Sequence, residues 1–210
     1  MQRSGEDLKD IGECGGAVIL AGGDSKRMGQ PKALLDFFGM TLIERIVGIL
    51  SPLFPSLTLV TDRPDLYSGL PAKITPDLIS GGQKSPLRGI HAGLTVSTLP
   101  CQFVVACDMP LLNRDLIAFM VEEAEGYDAV VPRLGPHYQP LHAVYSRSSI
   151  AVIEKLLEEQ RYKVTDFYEH LNIRYITEAE IERFDPGQVS FTNINTWGDY
   201  ENALRLIRSG

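Results

Sequence analysis

Short runs of aliphatic and β-branched residues alternate along the chain with stretches whose apolar positions recur at helical spacing. That alternation predicts a parallel sheet with crossover helices. Residues 17–20 (AVIL) read as the first strand, apolar at every position as a strand covered on both faces should be. Residues 57–61, 72–75, 103–106 and 128–131 are the next predicted strands, and residues 141–145 are expected to pair near the last of these in an antiparallel sense. Thr41 and Glu44 have capping-box spacing ahead of Leu42, Ile43, Ile46, Val47 and Leu50, and Pro52 lies just past the end. Residues 86–97, 114–125 and 148–159 predict three further helices, and Thr196 and Asp199 repeat the cap spacing before Tyr200, Ala203, Leu204 and Ile207. Residues 162–185 carry the weakest pattern, for which helices are the expectation. No repeat, low-complexity stretch or linker divides the chain. The expected architecture is therefore one three-layer α/β domain over residues 14–210, Rossmann-like, with a mostly parallel central sheet and helices on both faces. Residues 1–13 are polar and charged and are expected to form a disordered tail.

The most informative segment follows the first strand: LAGGDSKRMGQPK, residues 20–32. A buried strand runs directly into Ala21, Gly22 and Gly23 and then into polar and cationic residues. Glycines there let the backbone take positive φ and approach a phosphate, and consecutive N–H groups form an anion-binding concavity. Ser25 can add a hydroxyl donor, while Arg27 and Lys32 supply cations suited to a triphosphate. Ligands of open α/β sheets bind outside the carboxyl ends of the strands, which is where this loop falls. It is neither a P-loop nor a GxGxxG fingerprint. Taken alone, two glycines would equally serve a tight turn. The second constellation, Cys107-Asp108-Met109-Pro110, directly follows the strand FVVA. A carboxylate at that strand end suits Mg²⁺, which prefers one or two carboxylates plus phosphate oxygens, although Asp108 by itself could simply shape the turn before Pro110.

Composition narrows the class. The 210 residues are 44% hydrophobic, enough for a core without disulfides, and the formal charge of −7 argues against a nucleic-acid binder. Cys14, Cys101 and Cys107 form no CxxC pair, so the expected setting is a reducing one. The first 13 residues lack the apolar core of a secretory signal, and no apolar run reaches the roughly 18 residues of a membrane span. A cytoplasmic protein with small-molecule ligands is the expectation.

LAGGxSxRMGxxK after strand one, a PLxGIxAGL segment, CDMP after a central strand and a late NINT, in this order across residues 16–208, resemble the molybdenum cofactor guanylyltransferase family. The resemblance implies transfer of GMP from GTP to the terminal phosphate of molybdopterin, with Mg²⁺ as cofactor and release of pyrophosphate. It implies nucleotide contacts from Leu20, Ala21, Gly22, Gly23 and Ser25, phosphate contacts from Arg27 and Lys32, a guanosine contact from Asp77, and a metal ligand in Asp108. Lys32, Arg27 and Asp108 would carry catalysis. Asn193 and Asn195 of NINT would lie by the pterin or the metal. Partners implied besides GTP and molybdopterin are molybdenum cofactor insertion proteins or recipient molybdoenzymes, with no nucleic acid and no membrane. The chain departs from the family pattern at Pro31 (often Asp), Ser85 (often Gly) and Asp62 (usually Asn), and Asp62 is left out of the candidate site.

The implied nucleophile is a phosphate oxygen already ionised near neutral pH, so no general base is needed, and no His–carboxylate or Ser–His pairing stands out. Arg88 is either a further phosphate cation or a surface residue. The four histidines fit no common zinc spacing, and Cys107 reads as a small buried hydrophobe. Gly22, where cytidylyltransferase relatives carry alanine, leaves space for a purine and favours GTP. The alternatives are a CTP-dependent molybdopterin cytidylyltransferase, a sugar-phosphate nucleotidyltransferase, or a non-enzymatic carrier of nucleotide or pterin.

Overall fold

The computed structural model describes residues 15–22, 31–79 and 81–209. The expected tail, and with it Gly23, Ser25 and Arg27, lies outside them. Eight strands form one sheet: β1 (Gly15–Leu20), β2 (Leu57–Val60), β3 (Lys73–Thr75), β4 (Cys101–Ala106), β5 (Ala129–Leu134), β6 (His137–Tyr138), β7 (His142–Ser146) and β8 (Ile173–Ile176). Their order is β3-β2-β1-β4-β7-β5-β6, with β8 against the other side of β5. β1, β2, β3 and β4 are parallel, β7 runs antiparallel between β4 and β5, and β8 is parallel to β5. The expected antiparallel pairing of residues 141–145 with the preceding strand is found, because the connection around Gln139 and Pro140 is too short for a crossover.

Strand alternation builds two cores, one on each face. Ala17 and Ile19 point to the face covered by α1 (Leu42–Leu50) and α3 (Arg114–Glu122), where they meet Ile43, Ile46, Leu116 and Met120. Val18 and Leu20 point to the other face, where α2 (Pro86–Val96) and α4 (Ser149–Glu158) supply Leu87, Ile90, Ile153 and Leu156. Every residue of β1 is buried, as an apolar strand between two helical layers requires. The Thr41 capping box is formed in full, with Thr41 Oγ1 accepting from the Glu44 backbone N–H and the Glu44 side chain accepting from the Thr41 backbone N–H. A third, smaller core of Leu35, Phe37, Leu42, Leu111, Ile194 and Ala203 seats the last helix, α6 (Trp197–Ser209), beside the sheet edge.

Residues 162–185 are not the helices that the pattern suggested. They form a 3₁₀ stretch (Val164–His170), the strand β8, and one helical turn, α5 (Glu178–Ile181). β8 escapes detection because it is a four-residue edge strand with only Ile176 fully buried, and because the charged Arg174 sits at its centre. Arg174 is satisfied there by Glu123, 2.8 Å away, and by Glu180. Among the described residues, no helix is long and apolar enough to cross a membrane.

The packing of α2 on β1 explains two glycines of the PLRGIHAGL segment. A Cβ at Gly93 would lie 2.6 Å from Val18 Cγ2, and one at Gly89 would lie 3.0 Å from Leu20 Cδ2. The helix therefore lies closer to the strand than any side chain at those positions would allow. Gly93→Ala should lower the unfolding free energy by about 1–3 kcal/mol, an overpacking cost, as read by denaturant titration. Gly48→Ala in α1, where a Cβ meets nothing within 4 Å, should instead raise it by about 0.5–1 kcal/mol through helix propensity.

Candidate active site

The parallel register brings the ends of β1, β2 and β4 level, with Leu20 opposite both Val60 and Ala106. Beyond that line the backbone remains tied: Ala21 N–H donates to Val60 O at 2.9 Å and Cys107 N–H donates to Leu20 O at 3.1 Å. Each chain then peels away, leaving a cleft of about 420 Å³ at the carboxyl edge of the sheet. Leu20, Ala21 and Gly22 form its floor on the β1 side, and Pro86 and Gly89 bring the start of α2 to its wall. Gly22 does not have positive φ, so the expected left-handed backbone is absent there. Its value is spatial: a Cβ at Gly22 would meet no described atom within 4 Å.

Lys32, Asp108 and Asn195 come together although Lys32 stands 76 residues from Asp108 and 163 from Asn195. Lys32 Nζ donates to Asn195 Oδ1 at 2.6 Å and lies 3.4 Å from Asp108 Oδ2. The late NINT segment reaches the site because Ile194 N–H donates to Asp108 O at 2.9 Å and the Ile194 side chain is buried in the third core. Asn193 lines the cleft beside Lys32 and Asp108, whereas Asn195 acts on the lysine from the rim. Asp199, which takes the backbone N–H groups of Asn195 and Thr196, fixes that rim at the start of α6.

Asp108 Oδ1 is buried and has no hydrogen-bond partner among the described residues. A carboxylate oxygen left in that state needs a cation or a donor from a ligand. Among the described residues no group of three or more His, Cys, Asp or Glu is arranged for a metal. A single carboxylate beside the cleft is nevertheless a donor set that fits Mg²⁺, which takes its remaining ligands from phosphate and water.

The opposite wall carries paired charges. Asp77, after β3, lines the cleft, and its Oδ2 lies 3.8 Å from Arg88 Nε. Burial pushes the Asp77 carboxyl above its ordinary range, and the Arg88 guanidinium opposes that rise. Arg88 is neither the surface residue nor the cleft cation considered from the sequence, since it is buried within the first turn of α2 behind Asp77. Asp62, left out of the candidates, also lines the cleft and is ion-paired with Lys84. No pattern of apolar positions distinguishes a carboxylate that follows a strand from any other turn residue, which is why periodicity does not mark this pair.

Among the described residues, Cys107 and the histidines are not placed as nucleophile or base in the cleft. Burial first, and then the negative charge of Asp108, push the Cys107 thiol up to about 12, so it stays protonated. His91 is buried and its Nε2 lies 3.1 Å from Glu154 Oε1, joining α2 to α4. His142 is fully buried between Phe103 and Phe191, with ring centroids 5.1 and 4.8 Å away. His137 and His170 are exposed.

A cleft edged by Lys32 and Asp108, in which no described thiol or imidazole is poised as nucleophile or base, suits a nucleotidyltransferase, where positioning and charge neutralisation carry the reaction. The chain belongs to the MobA-like NTP transferase family, whose domain matches residues 17–174. It is 42% identical over 186 residues to a protein of Pelotomaculum thermopropionicum named a probable molybdenum cofactor guanylyltransferase, covering 89% of this chain and 90% of that one. It is 35% identical to the molybdenum cofactor guanylyltransferase of Syntrophotalea carbinolica, covering 91% of each. Among solved structures, molybdopterin-guanine dinucleotide biosynthesis protein A from Archaeoglobus fulgidus superposes with a TM-score of 0.80 at 28% identity, over 92% of this chain and 99% of that chain.

His142 gives the site's surroundings a measurable acid sensitivity. Burial lowers its folded-state pKa to about 3, whereas unfolding returns it to the ordinary value of 6.5. Below pH 6.5 the unfolded chain takes up a proton that the native chain refuses until about pH 3, so native stability falls as pH drops through that window. In denaturant titrations at several pH values, His142→Phe should flatten the decline by up to about 1.4 kcal/mol per pH unit.

Proposed function

We propose that this chain transfers GMP from GTP to the terminal phosphate of molybdopterin and releases pyrophosphate. The observation that carries the reading is the Lys32–Asp108–Asn195 constellation at the edge of the cleft, with Asp108 Oδ1 left without a partner. Leu20, Ala21 and Gly22 line the floor against which the nucleotide would lie, and Asp77 on the opposite wall is our candidate for the guanosine contact. At Gly22 no described atom would crowd a Cβ, and that space suits a purine, which supports GTP over CTP. Asn193, within the cleft, is our candidate for contact with the pterin substrate.

In the reaction, an ionised oxygen of the molybdopterin phosphate attacks the α-phosphorus of GTP. A new P–O bond forms, the bond from the α-phosphorus to the bridging oxygen breaks, and the electron pair leaves with pyrophosphate. No proton need be removed from the nucleophile. Two polyanions must approach, and Lys32 places an ammonium where that repulsion is greatest. Asn195 holds the ammonium in place through its Oδ1, so the lysine need not be ordered at the moment of reaction. Asp108, with nucleotide phosphate oxygens, would hold Mg²⁺, which when bound supplies charge neutralisation at the transferring phosphoryl group.

Thermal unfolding with excess GTP, CTP or ATP, each with and without Mg²⁺, tests the nucleotide. GTP at 100 times its dissociation constant should add about 2.7 kcal/mol of stability, with weaker effects from the other two. A preference for CTP would move the assignment to cytidylyl transfer, and absence of pyrophosphate release with GTP, Mg²⁺ and molybdopterin would leave only a carrier. Asp108→Ala should lower turnover by about a hundredfold or more while its unfolding midpoint stays within a few degrees of the parent. Lys32→Ala should weaken binding of GTP far more than of guanosine, as measured by calorimetry, and equal losses would remove the lysine from the phosphates.

A further inference from the structure

The arm that carries Asn193 and Asn195 is pinned at both ends to the segment that leaves β4. Asn113 Nδ2 donates to Phe184 O at 2.8 Å, and Ile194 N–H donates to Asp108 O at 2.9 Å. Phe184 also stacks on Phe119 of α3, with ring centroids 4.9 Å apart. On one side the pins are five residues apart, Asp108 to Asn113, and on the other ten, Phe184 to Ile194. Fully extended, such lengths reach about 18 Å and about 35 Å. The arm must therefore be wound up between its pins, and the winding sets where Asn193 and Asn195 arrive.

Asp185 shapes that winding. It is buried, and its Oδ1 and Oδ2 accept the backbone N–H groups of Val189 at 3.2 Å and Ser190 at 2.9 Å, at the start of the 3₁₀ turn Val189–Phe191. Its carbonyl accepts from Gln188 N–H at 2.9 Å. The chain returns to these partners through two left-handed residues, Gly187 at φ +76° and Gln188 at φ +58°. Glutamine holds that region only where its surroundings over-determine it, and the two bonds to the Asp185 carboxylate do so here. Beyond the turn, Phe191 packs on His142 of β7 with ring centroids 4.8 Å apart, and Phe191 O accepts from Asn193 Nδ2 at 3.3 Å. The side chains around the turn add no polar tie of their own. Ser190 Oγ and both ring nitrogens of His142 are buried without a hydrogen-bond partner among the described residues, which leaves the shaping to Asp185.

We propose that Asp185 is a positioning residue of the active site. Its carboxylate sets the turn that delivers Asn193 to the cleft and Asn195 to Lys32, although Asp185 is not among the residues that line the cleft. Its part in catalysis rests on the nucleotidyl-transfer reading given above, whereas its shaping of the arm does not.

Two measurements on the full chain test this, with Asp185→Asn keeping one of the two acceptors and Asp185→Ala keeping neither. In hydrogen exchange, peptides covering residues 189–196 should exchange about tenfold faster in Asp185→Ala and by an intermediate factor in Asp185→Asn, while β1 and β4 stay within about twofold. An equal rise throughout the chain, or none at 189–196, would overturn the role. Single-turnover pyrophosphate release with GTP, Mg²⁺ and molybdopterin should fall about tenfold or more in Asp185→Ala, with partial recovery in Asp185→Asn. In an Asn195→Ala background the same alanine change should cost about threefold or less, because one of the two groups it positions is gone. An undiminished cost in that background, or no cost in the parent, would equally overturn the proposal. Should Asp185→Ala not fold, Asp185→Asn carries both comparisons in the same directions. A parent chain that releases no pyrophosphate would instead sink the nucleotidyl-transfer reading, and hydrogen exchange would still decide whether Asp185 shapes the arm.

Discussion

The hydrogen bond from Lys32 to Asn195 and the neighbouring approach of Lys32 to Asp108 are the contacts on which the proposed chemistry depends. They join the segment after β1, the end of β4 and the entry to α6, three parts of the chain with no local reason to meet. What lets them meet is the register of β1 with β4, which aligns Leu20 with Ala106 so that both strands end together. The Ile194 N–H bond to Asp108 O then draws in the last of the three, and burial of the Ile194 side chain holds it there. A cation held by a carboxylate and an amide oxygen is constrained in position at the edge of the cleft. That state suits a group that must receive anionic substrates.

The second physical theme is balance of charge around one cleft. The chain carries a formal −7, yet its proposed substrate is a triphosphate. Among the described residues, three carboxylates border the cleft, and each has a cation within reach: Asp108 with Lys32, Asp77 with Arg88 and Asp62 with Lys84. Local pairing therefore decides what the cleft can accept, and net charge does not. The pairs differ in burial. Arg88 is sealed behind Asp77 and serves to fix it, whereas Lys84 and Asp62 remain largely in solvent, where their interaction stays weak and adjustable.

Much of the fold was legible in the sequence. The all-apolar run of β1, the Thr41–Glu44 capping box and the alternation of strand with helix left little freedom for other architectures. Physical strength at the local level made these signals readable: a strand buried on both faces must be apolar throughout, and a capped helix must begin where its cap stands. β8 gave no comparable signal, because a short edge strand with Arg174 at its centre depends on Glu123 and Glu180 from elsewhere in the chain. Gly22 was singled out for the right location, and of the two reasons for a glycine there, space and a left-handed backbone, the left-handed backbone is not found.

The candidate site divides in the same way. Local sequence determined that Gly22 and Asp108 stand just beyond strand ends, since strand and turn chemistry act over a few residues. Tertiary structure alone decided that Asn195 holds Lys32, that Arg88 backs Asp77 instead of facing solvent, and that Lys84 reaches Asp62. Those choices depend on distances between segments that are remote in the chain. Such distances are set by sheet register and by the close packing of α2 on β1, which no single segment encodes.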